Sequence, residues 1–258
     1  MKWFPQAGAG TLAQLPLRRV RTWRAIRNVL ENGERIVLPD TGYGQIEWRL
    51  SFHDLSQPEA QRLEDLFVAM QGSYGTFGFV DPTANLIAWS EDLARPDWQA
   101  GLLAIAGGAA DPLGATGAWV VSNGSAGEQL LTQTVAVPGE YTGCFSAWVR
   151  CDTTGSITLR RDGTAITAGI GPSWKRLFVS GAGTAGADHS DVSIELTAGQ
   201  NIELWGLQFE AQPYPSRYKQ SRSASGIYEE TYFGTDELKV TSTGVDLSAC
   251  EITLISKV

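Results

Sequence analysis

Apolar and polar residues alternate along the first fifty residues of the chain, which is the pattern of half-buried β-strands. One alternating run covers residues 16–30, and a second begins at Glu34 and continues through GQIEWRLSF. Asn32-Gly33 lies between them, and this dipeptide is typical of a two-residue hairpin turn in which both residues have positive φ. The chain is therefore predicted to begin with a β-hairpin.

The next segment, LSQPEAQRLEDLFVAMQG, has the periodicity of a helix. From Leu63 onward its apolar residues follow the i, i+3, i+4, i+7 spacing of one helical face. Ser56 and Glu59 have the spacing of a capping box, and a proline in the first turn and a glycine after the last apolar residue also favour a helix. We expect a helix over about residues 57–71 that packs on the preceding sheet, followed by a strand, YGTFGFV.

From Asn85 to about residue 213 the composition shifts to Gly, Ala, Ser and Thr, with short apolar runs between turn residues. Strands are predicted in eight segments: LIAWSEDL, AWVVSN, QLLTQTVAV, YTGCFSAWVRCD, SITLRRDG, KRLFVSGAG, DVSIELTAG and NIELWGLQFEA. Short strands at this spacing are typical of a β-sandwich or jelly roll. Because no helix is predicted here, the pattern excludes a parallel α/β architecture.

The segment QPYPSRYKQSRSASG is predicted to be a linker, and strong β-patterning returns from Ile227 to the end of the chain. A tail of about 32 residues is too short to form its own core, so we expect it to add strands to the first unit. The predicted fold class is mainly β, a β-sandwich with one short helix interrupted by an inserted antiparallel jelly-roll domain. The predicted domains are residues 1–84 with 218–258, and residues 85–217, which include the linker.

Charge is distributed unevenly along the 258 residues. The chain has 20 basic and 28 acidic side chains, a formal net charge of −8, which disfavours nucleic acid as the main partner. Seven basic side chains lie in the first 35 residues, which leaves 13 basic and 26 acidic ones in the remainder. The candidate subunit-interface residues on this basic arm are Arg18, Arg19, Arg21, Arg24 and Arg27. They fit either a solvated edge strand, whose charge discourages aggregation, or a surface that docks on an acidic partner subunit.

No apolar run reaches the roughly 18 residues needed to span a bilayer, and the first residues lack the apolar core of a signal peptide. We therefore expect no membrane insertion and synthesis in the cytoplasm.

The sequence contains none of the motifs of common enzyme classes, such as GxSxG, HExxH or a P-loop. It has only two histidines, and its three cysteines lack CxxC spacing, so we expect buried free thiols and no metal site. We therefore expect no catalytic residues and no cofactor.

Nine tryptophans are a high number for this length, and six lie in the predicted jelly roll: Trp89, Trp98, Trp119, Trp148, Trp174 and Trp205. An indole ring offers a flat apolar face to a sugar, although sandwich cores also use tryptophan. In FSAWVR, strand alternation places Trp148 and Arg150 on one face and the apolar residues on the other. Trp174 and Trp205 have the sequence context of structural residues.

The candidate carbohydrate-binding residues are Trp148, Arg150, Arg160, Asp162 and Trp119. Arg160 and Asp162 share a face of the neighbouring predicted strand, SITLRRDG. The sequence leaves open whether that face is the one that carries Trp148.

Two stretches resemble known proteins. The order NGE, WRLSFHDLSQPEAQRLEDLF and GSYGTFGFVDPTANLIAWSEDL, together with the tail GIYEETYFGTDELKVTSTG, resembles the tail-tip proteins of long-tailed phages and of related prophage or gene-transfer particles. The distal tail protein and its minor-tail relatives are the nearest type, and the resemblance covers residues 18–85 and the tail from 226. The stretch from NLIAWSEDL to NIELWGLQFEAQPYPSRY resembles carbohydrate-binding jelly rolls of phage tail proteins.

The resemblance implies a virion component at the tail tip or baseplate that self-associates into a ring, for example a hexamer, and contacts tail tube and tail hub proteins. The inserted module would bind cell-surface polysaccharide and help host adsorption. Some such jelly rolls hold a structural calcium ion, for which Glu91, Asp92 and Glu210 are possible ligands. Two alternatives stay open, a purely assembly-related tail protein that binds no glycan and a tail-associated glycosidase.

Overall fold

A computed structural model describes residues 1–223 and 226–257 of the chain. The described residues form fifteen strands and one helix, which confirms the prediction of a mainly β fold with a single short helix. Two compact units can be separated. We call residues 1–8, 13–79 and 228–257 the split unit, and residues 9–12, 80–223 and 226–227 the inserted unit.

The helix α1 (Gln57–Met70) lies between the second and third strands. In chain order the strands are β1 (Arg18–Val29), β2 (Arg35–Ser56), β3 (Phe77–Val80), β4 (Ala104–Ala109), β5 (Ala118–Ser122), β6 (Gln129–Val135), β7 (Thr142–Arg150), β8 (Gly155–Arg161), β9 (Thr164–Ile170), β10 (Lys175–Ala182), β11 (Ser190–Leu196), β12 (Asn201–Glu210), β13 (Ile227–Phe233), β14 (Val240–Gly244) and β15 (Leu247–Lys257).

The sheet of the split unit has the order β1-β2-β15-β13-β3, and β14 pairs with β15. Strand β15, from the end of the chain, therefore lies at the centre of this sheet. Its Leu254 pairs with Trp48 of β2, and its Ile252 pairs with Leu50. All four side chains are buried. The tail thus adds strands to the sheet formed by the first eighty residues, as its β-patterning predicted.

Helix α1 begins where the capping box predicts. The Glu59 carboxylate accepts hydrogen bonds from the Ser56 hydroxyl, from the Ser56 backbone amide at 2.8 Å, and from the backbone amide of Gly8. These bonds, led by that from the hydroxyl, lower the pKa of Glu59. The helix ends at Gln71, which has a left-handed conformation with φ of 54°.

The β1–β2 hairpin has a three-residue turn, so the predicted two-residue Asn-Gly turn is wrong. The Leu30 amide donates to the Glu34 carbonyl at 2.8 Å, which adds one more backbone pair beyond the strands. The Asn32 side chain accepts a hydrogen bond from the Glu34 amide at 3.0 Å, and only Gly33 has positive φ, 82°, in the turn. A type I turn followed by a left-handed glycine is the common three-residue connection.

The inserted unit is a jelly-roll β-sandwich of two antiparallel sheets. The five-stranded sheet has the order β10-β7-β12-β5-β4, and the four-stranded sheet has the order β6-β11-β8-β9. Alternate residues of each central strand are apolar and fully buried, such as Phe145 and Val149 in one sheet and Leu159 and Ile194 in the other. These residues form the core between the sheets.

One predicted strand in this region is wrong, and two observed strands were not predicted. The segment 86–93 is not a strand, because the chain turns there and Trp89 has φ of 52°. Its Leu86, Ile87 and Leu93 are buried nonetheless, which explains the misleading apolar pattern. Strands β4 and β9 were not predicted, because Ala and Gly dominate them and weaken the alternating pattern.

The predicted linker is not a linker over residues 212–222, which we call the strap. The strap is bonded to the segment that enters the inserted unit, more than a hundred residues earlier. The Asn85 side chain donates to the Lys219 carbonyl at 2.9 Å, and the Trp89 amide donates to the Arg222 carbonyl at 3.0 Å. Ala224 and Ser225 of the predicted linker lie outside the described residues. None of the described helices is long and apolar enough to cross a membrane.

Candidate functional site

The candidate site lies on the outer face of the five-stranded sheet, the face turned away from the sandwich core. Cross-strand pairing decides which residues share this face. Trp148 of β7 pairs with Arg176 of β10 on one side and with Trp205 of β12 on the other. Arg150 pairs with Glu203 of β12. These side chains therefore form a continuous aromatic and charged surface.

Four half-buried residues on this face form what we call the aromatic patch, Trp148, Arg150, Trp174 and Glu203. Arg150 donates from Nη2 and Nε to Oε2 of Glu203, at 2.7 and 3.0 Å. The same guanidinium lies over the Trp174 ring, 4.8 Å from its centroid. A cation placed in this way is attracted by the ring face. The ion pair and the stacking fix the orientation of Arg150 and Trp174.

A loop over residues 110–117 borders the patch. The Asp111 carboxylate accepts hydrogen bonds from the backbone amides of Leu113, Ala115 and Gly117, at 2.8 to 3.1 Å. Burial opposes ionisation of this carboxyl, but the amide hydrogen bonds together lower its pKa. Arg150 Nη2 lies 3.4 Å from the Ala110 carbonyl oxygen. The loop is therefore held in one conformation beside the patch.

The strap covers the other half of the outer face. The Tyr218 ring packs on Trp205 with centroids 4.7 Å apart, and its hydroxyl is 2.9 Å from Ser90 Oγ. The Lys219 amide donates to Gln208 Oε1 at 2.7 Å, and Arg176 donates to the Ser216 carbonyl at 2.6 Å. The sheet beneath the strap is closed to solvent, since its outward residues Cys144, Ser146, Gln208 and Glu210 have no exposed surface.

A buried ionic cluster lies under the strap. Glu210 accepts hydrogen bonds from the Ser216 amide and from Lys219 Nζ, both at 2.9 Å, and from the Ser216 hydroxyl. Burial lowers the pKa of Arg176, whereas the Glu210 charge raises it. Burial also raises the pKa of the neighbouring Cys144 thiol, to about 12. That thiol is therefore inert at neutral pH.

Of the five predicted carbohydrate-binding residues, the structure brings only Trp148 and Arg150 together. Trp119 pairs with Leu204, which is on the inner face, so Trp119 lies on the opposite side of the sheet from Trp148. Its indole nitrogen donates to the Glu91 carbonyl at 2.9 Å. Trp119 is thus a structural residue of β5 on the other side of the sheet, which corrects its assignment to the site.

Arg160 and Asp162 belong to the four-stranded sheet and not to the face of Trp148. Arg160 lies on the outer side of β8, where its Nε donates to Glu195 at 2.7 Å. Asp162 follows β8 in a left-handed conformation, and its Oδ1 accepts from the Asp191 amide at 2.8 Å. This sheet forms the other layer of the sandwich, so Arg160 and Asp162 do not share the face of Trp148, which the sequence had left open, and they are removed from the candidate site.

The possible calcium ligands do not converge. Glu210 is engaged by Ser216 and Lys219, and Asp92 forms an ion pair with Arg95 at 2.7 Å. Glu91 Oε2 accepts from the Gln220 side chain at 2.8 Å. Within residues 1–223 and 226–257, no three His, Cys, Asp or Glu side chains are grouped to hold a metal ion. The three cysteines are buried and unpaired, as predicted.

The predicted interface arginines all lie on β1 of the split unit and are exposed. Arg24 forms an ion pair with Asp40 and lies over the Tyr43 ring, 4.7 Å from its centroid. Both faces of the β1–β2 hairpin are exposed near its turn, including the apolar residues Trp23, Ile26 and Leu38. These three apolar residues were not identified from the sequence.

Two members of the patch, Trp174 and Glu203, were not predicted as site residues from the sequence. Trp174 follows Gly171-Pro172 at the start of a strand, which is the context of a structural residue. Only the pairing of β10 with β7 brings it beside Arg150. Glu203 occupies an outward position in its strand and pairs with Arg150. Because Arg150 lies about fifty residues earlier in the sequence, the sequence alone does not show this pair.

A scan against protein-family models and a search of curated proteins found no match. Solved structures similar to this chain include the C-terminal family 22 carbohydrate-binding module of Clostridium thermocellum Xyn10B, at 17% identity and a TM-score of 0.41 over 53% of this chain and 99% of that one. Another is the enzymatically active domain of bacteriophage CBA120 tailspike protein 4, at 16% identity and a TM-score of 0.37, covering 51% of this chain and 22% of that chain. A third is the family 11 module of C. thermocellum, at 9% identity and a TM-score of 0.38, over 51% of this chain and 97% of that one.

Proposed function

We propose that this chain is a structural subunit of a phage-type tail tip, with a distal tail-like split unit that assembles into a ring and an inserted unit that binds host-surface glycan. The protein acts by binding and carries out no catalysis. Its partners are further copies of itself, tail tube and tail hub proteins, and a cell-surface polysaccharide. The resemblance of residues 18–85 and of the tail to tail-tip proteins supports the ring role.

The aromatic patch is the observation that carries the glycan role. Trp148 and Trp174 are half-exposed on one sheet face, beside an arginine and a glutamate whose positions are already fixed. Indole faces contact the C–H faces of sugars, and the charged pair offers donors and acceptors to hydroxyl groups. A single open patch would bind weakly, but several copies on one ring would raise the effective affinity by orders of magnitude.

An array of purified O-antigen and capsular polysaccharides, probed with the full chain, tests the glycan role. For any polysaccharide bound by wild type, Trp174→Ala should weaken binding at least about tenfold, since it removes a stacking surface. Tyr74→Ala, which removes an exposed aromatic side chain of the split unit outside the hairpin, is the matched control and should leave glycan binding unchanged. An array without any bound polysaccharide would refute the glycan role and favour the purely assembly-related alternative.

The exposed hairpin supports the ring role. Trp23, Ile26 and Leu38 are 64%, 50% and 52% exposed, on a two-stranded ribbon whose first strand carries five arginines. Exposed apolar residues of this kind are typical of an interaction surface. A neighbouring copy offers complementary charge, because the chain beyond residue 35 has 26 acidic and 13 basic side chains.

Light scattering across protein concentration tests ring formation. Wild type should reach the mass of a closed oligomer, and the double charge reversal Arg21→Glu with Arg27→Glu should shift it toward the monomer. Reversal of Lys175 to Glu, an exposed cation of the inserted unit, is the control. A wild-type monomer at every concentration would contradict ring formation by the isolated chain.

A further inference from the structure

The open half of the outer face is bounded differently at its two ends. The strap closes the end beyond Trp148. At the opposite end, past Arg150, the face leads into a cleft of about 520 Å³ that we call the end cleft. Two loops line it, residues 151–156 and 197–201.

At the closed end the strap packs tightly on the sheet. Tyr218 lies on Trp205, and a Cβ placed on Gly206 would lie 3.0 Å from Trp148 and 3.5 Å from Tyr218. Beyond this row, Ser146 and Gln208 have no exposed surface. A saccharide that lies on Trp148 therefore cannot continue along the sheet under the strap.

The open end is polar and lies at the ends of the two strands that carry Arg150 and Glu203. Arg150 immediately precedes the first loop of the cleft, and Glu203 follows the second by two residues. Asp152, Thr153 and Thr154 are exposed in the cleft. Among the described residues, the Asp152 carboxylate has no hydrogen-bond or ion-pair partner. Such groups are free to receive hydroxyl hydrogen bonds.

The distance between wall and cleft limits the ligand. From Trp148 to the end of β7 at Arg150 the strand advances about 7 Å, at roughly 3.3 Å per residue, and the first loop of the cleft follows. This length accommodates a short oligosaccharide, with apolar sugar faces on Trp148 and Trp174 and hydroxyl groups toward the end cleft.

We propose that the inserted unit binds the terminal residues of polysaccharide chains and not the interior of a long chain. The inference rests on the proposed glycan binding. A site open at both ends admits any internal segment of a polymer. A saccharide that runs along β7 and lies on Trp148 is blocked by the strap, so its terminus lies there against Tyr218 and the rest of the chain is directed past Arg150 toward the end cleft.

Random scission of a polysaccharide bound on the array tests the inference. Mild acid cleavage to about one fifth of the starting chain length multiplies the number of chain ends per unit mass about fivefold, without adding new sugar types. End binding predicts that the mass concentration of polysaccharide needed to half-saturate the protein falls about fivefold. A half-saturation that is unchanged per unit mass would refute end binding and leave the proposed glycan role intact. No bound polysaccharide at all would refute the glycan role, and end binding with it.

Two aspartate variants test the end cleft in the same assay. Asp152→Asn should weaken binding of the cleaved chains at least about fivefold with no change in melting temperature, because its side chain is exposed. Asp97→Asn replaces an exposed aspartate elsewhere in the inserted unit and should have no effect. Equal binding by both variants would show that the cleft does not contact the saccharide.

Discussion

Replacement of Glu210 by glutamine should loosen the strap and destabilise the inserted unit. Glu210 is completely buried and accepts two hydrogen bonds from Ser216 and one from Lys219. Removal of one partner of a buried ion pair typically costs about 3–5 kcal/mol. Lys219 is 34% exposed and can turn toward water, so we expect the lower end, about 3 kcal/mol. For a unit of about 150 residues this corresponds to a melting temperature lower by roughly 6–12 °C.

Calorimetry and limited proteolysis together measure this effect. The thermal transition of the inserted unit should shift down in Glu210→Gln, and trypsin should cleave after Lys219 faster than in wild type, because the strap opens more often. Glu128→Gln, which alters an exposed acid of the same unit, is the control and should leave both readouts unchanged. A shift below about 2 °C with unchanged cleavage would refute the conclusion that Glu210 holds the strap in place.

Two further predictions concern the split unit. Glu59→Gln should remove a pH-dependent contribution to stability. Hydrogen bonds from Ser56 and Gly8 lower the folded-state pKa of Glu59. The contribution is therefore present above the ordinary glutamate pKa of about 4.3 and is lost as pH falls through the folded-state pKa. Denaturant unfolding should therefore show a larger stability advantage of wild type over the variant at pH 7 than at pH 3, and an equal difference at both values would contradict this. Truncation before Ile227 should unfold the split unit, because it removes the central strand β15 and its neighbours; amide exchange in β2 that stays as slow as in wild type would contradict that expectation.

Local pattern was sufficient to predict the elements whose burial depends on near neighbours. Helix α1 followed from its apolar spacing and from the Ser56–Glu59 pair. The alternation in β7 placed Trp148 and Arg150 on one face, because strand geometry alone fixes this. The turn after Leu30 was one residue longer than predicted, because the extra Leu30–Glu34 pair depends on how far the ladder extends.

Long-range pairing decided the features that the sequence did not reveal. The strap has the Pro, Ser and Arg content of a linker, yet its hydrogen-bond partners at Asn85 and Trp89 lie about 130 residues away. Trp174 joins Arg150 only through the register of β10 on β7. Arg160 has the same alternation as a site residue, but its strand belongs to the other sheet. Register and sheet membership depend on distant segments, so local periodicity cannot provide them.

A crystal structure of the chain with a bound oligosaccharide from the cleaved polysaccharide tests the central claim most directly. The account predicts a sugar ring on Trp148 or Trp174, with its chain directed past Arg150 toward Asp152. A saccharide bound to the four-stranded sheet beside Arg160, with the aromatic patch empty, would contradict it.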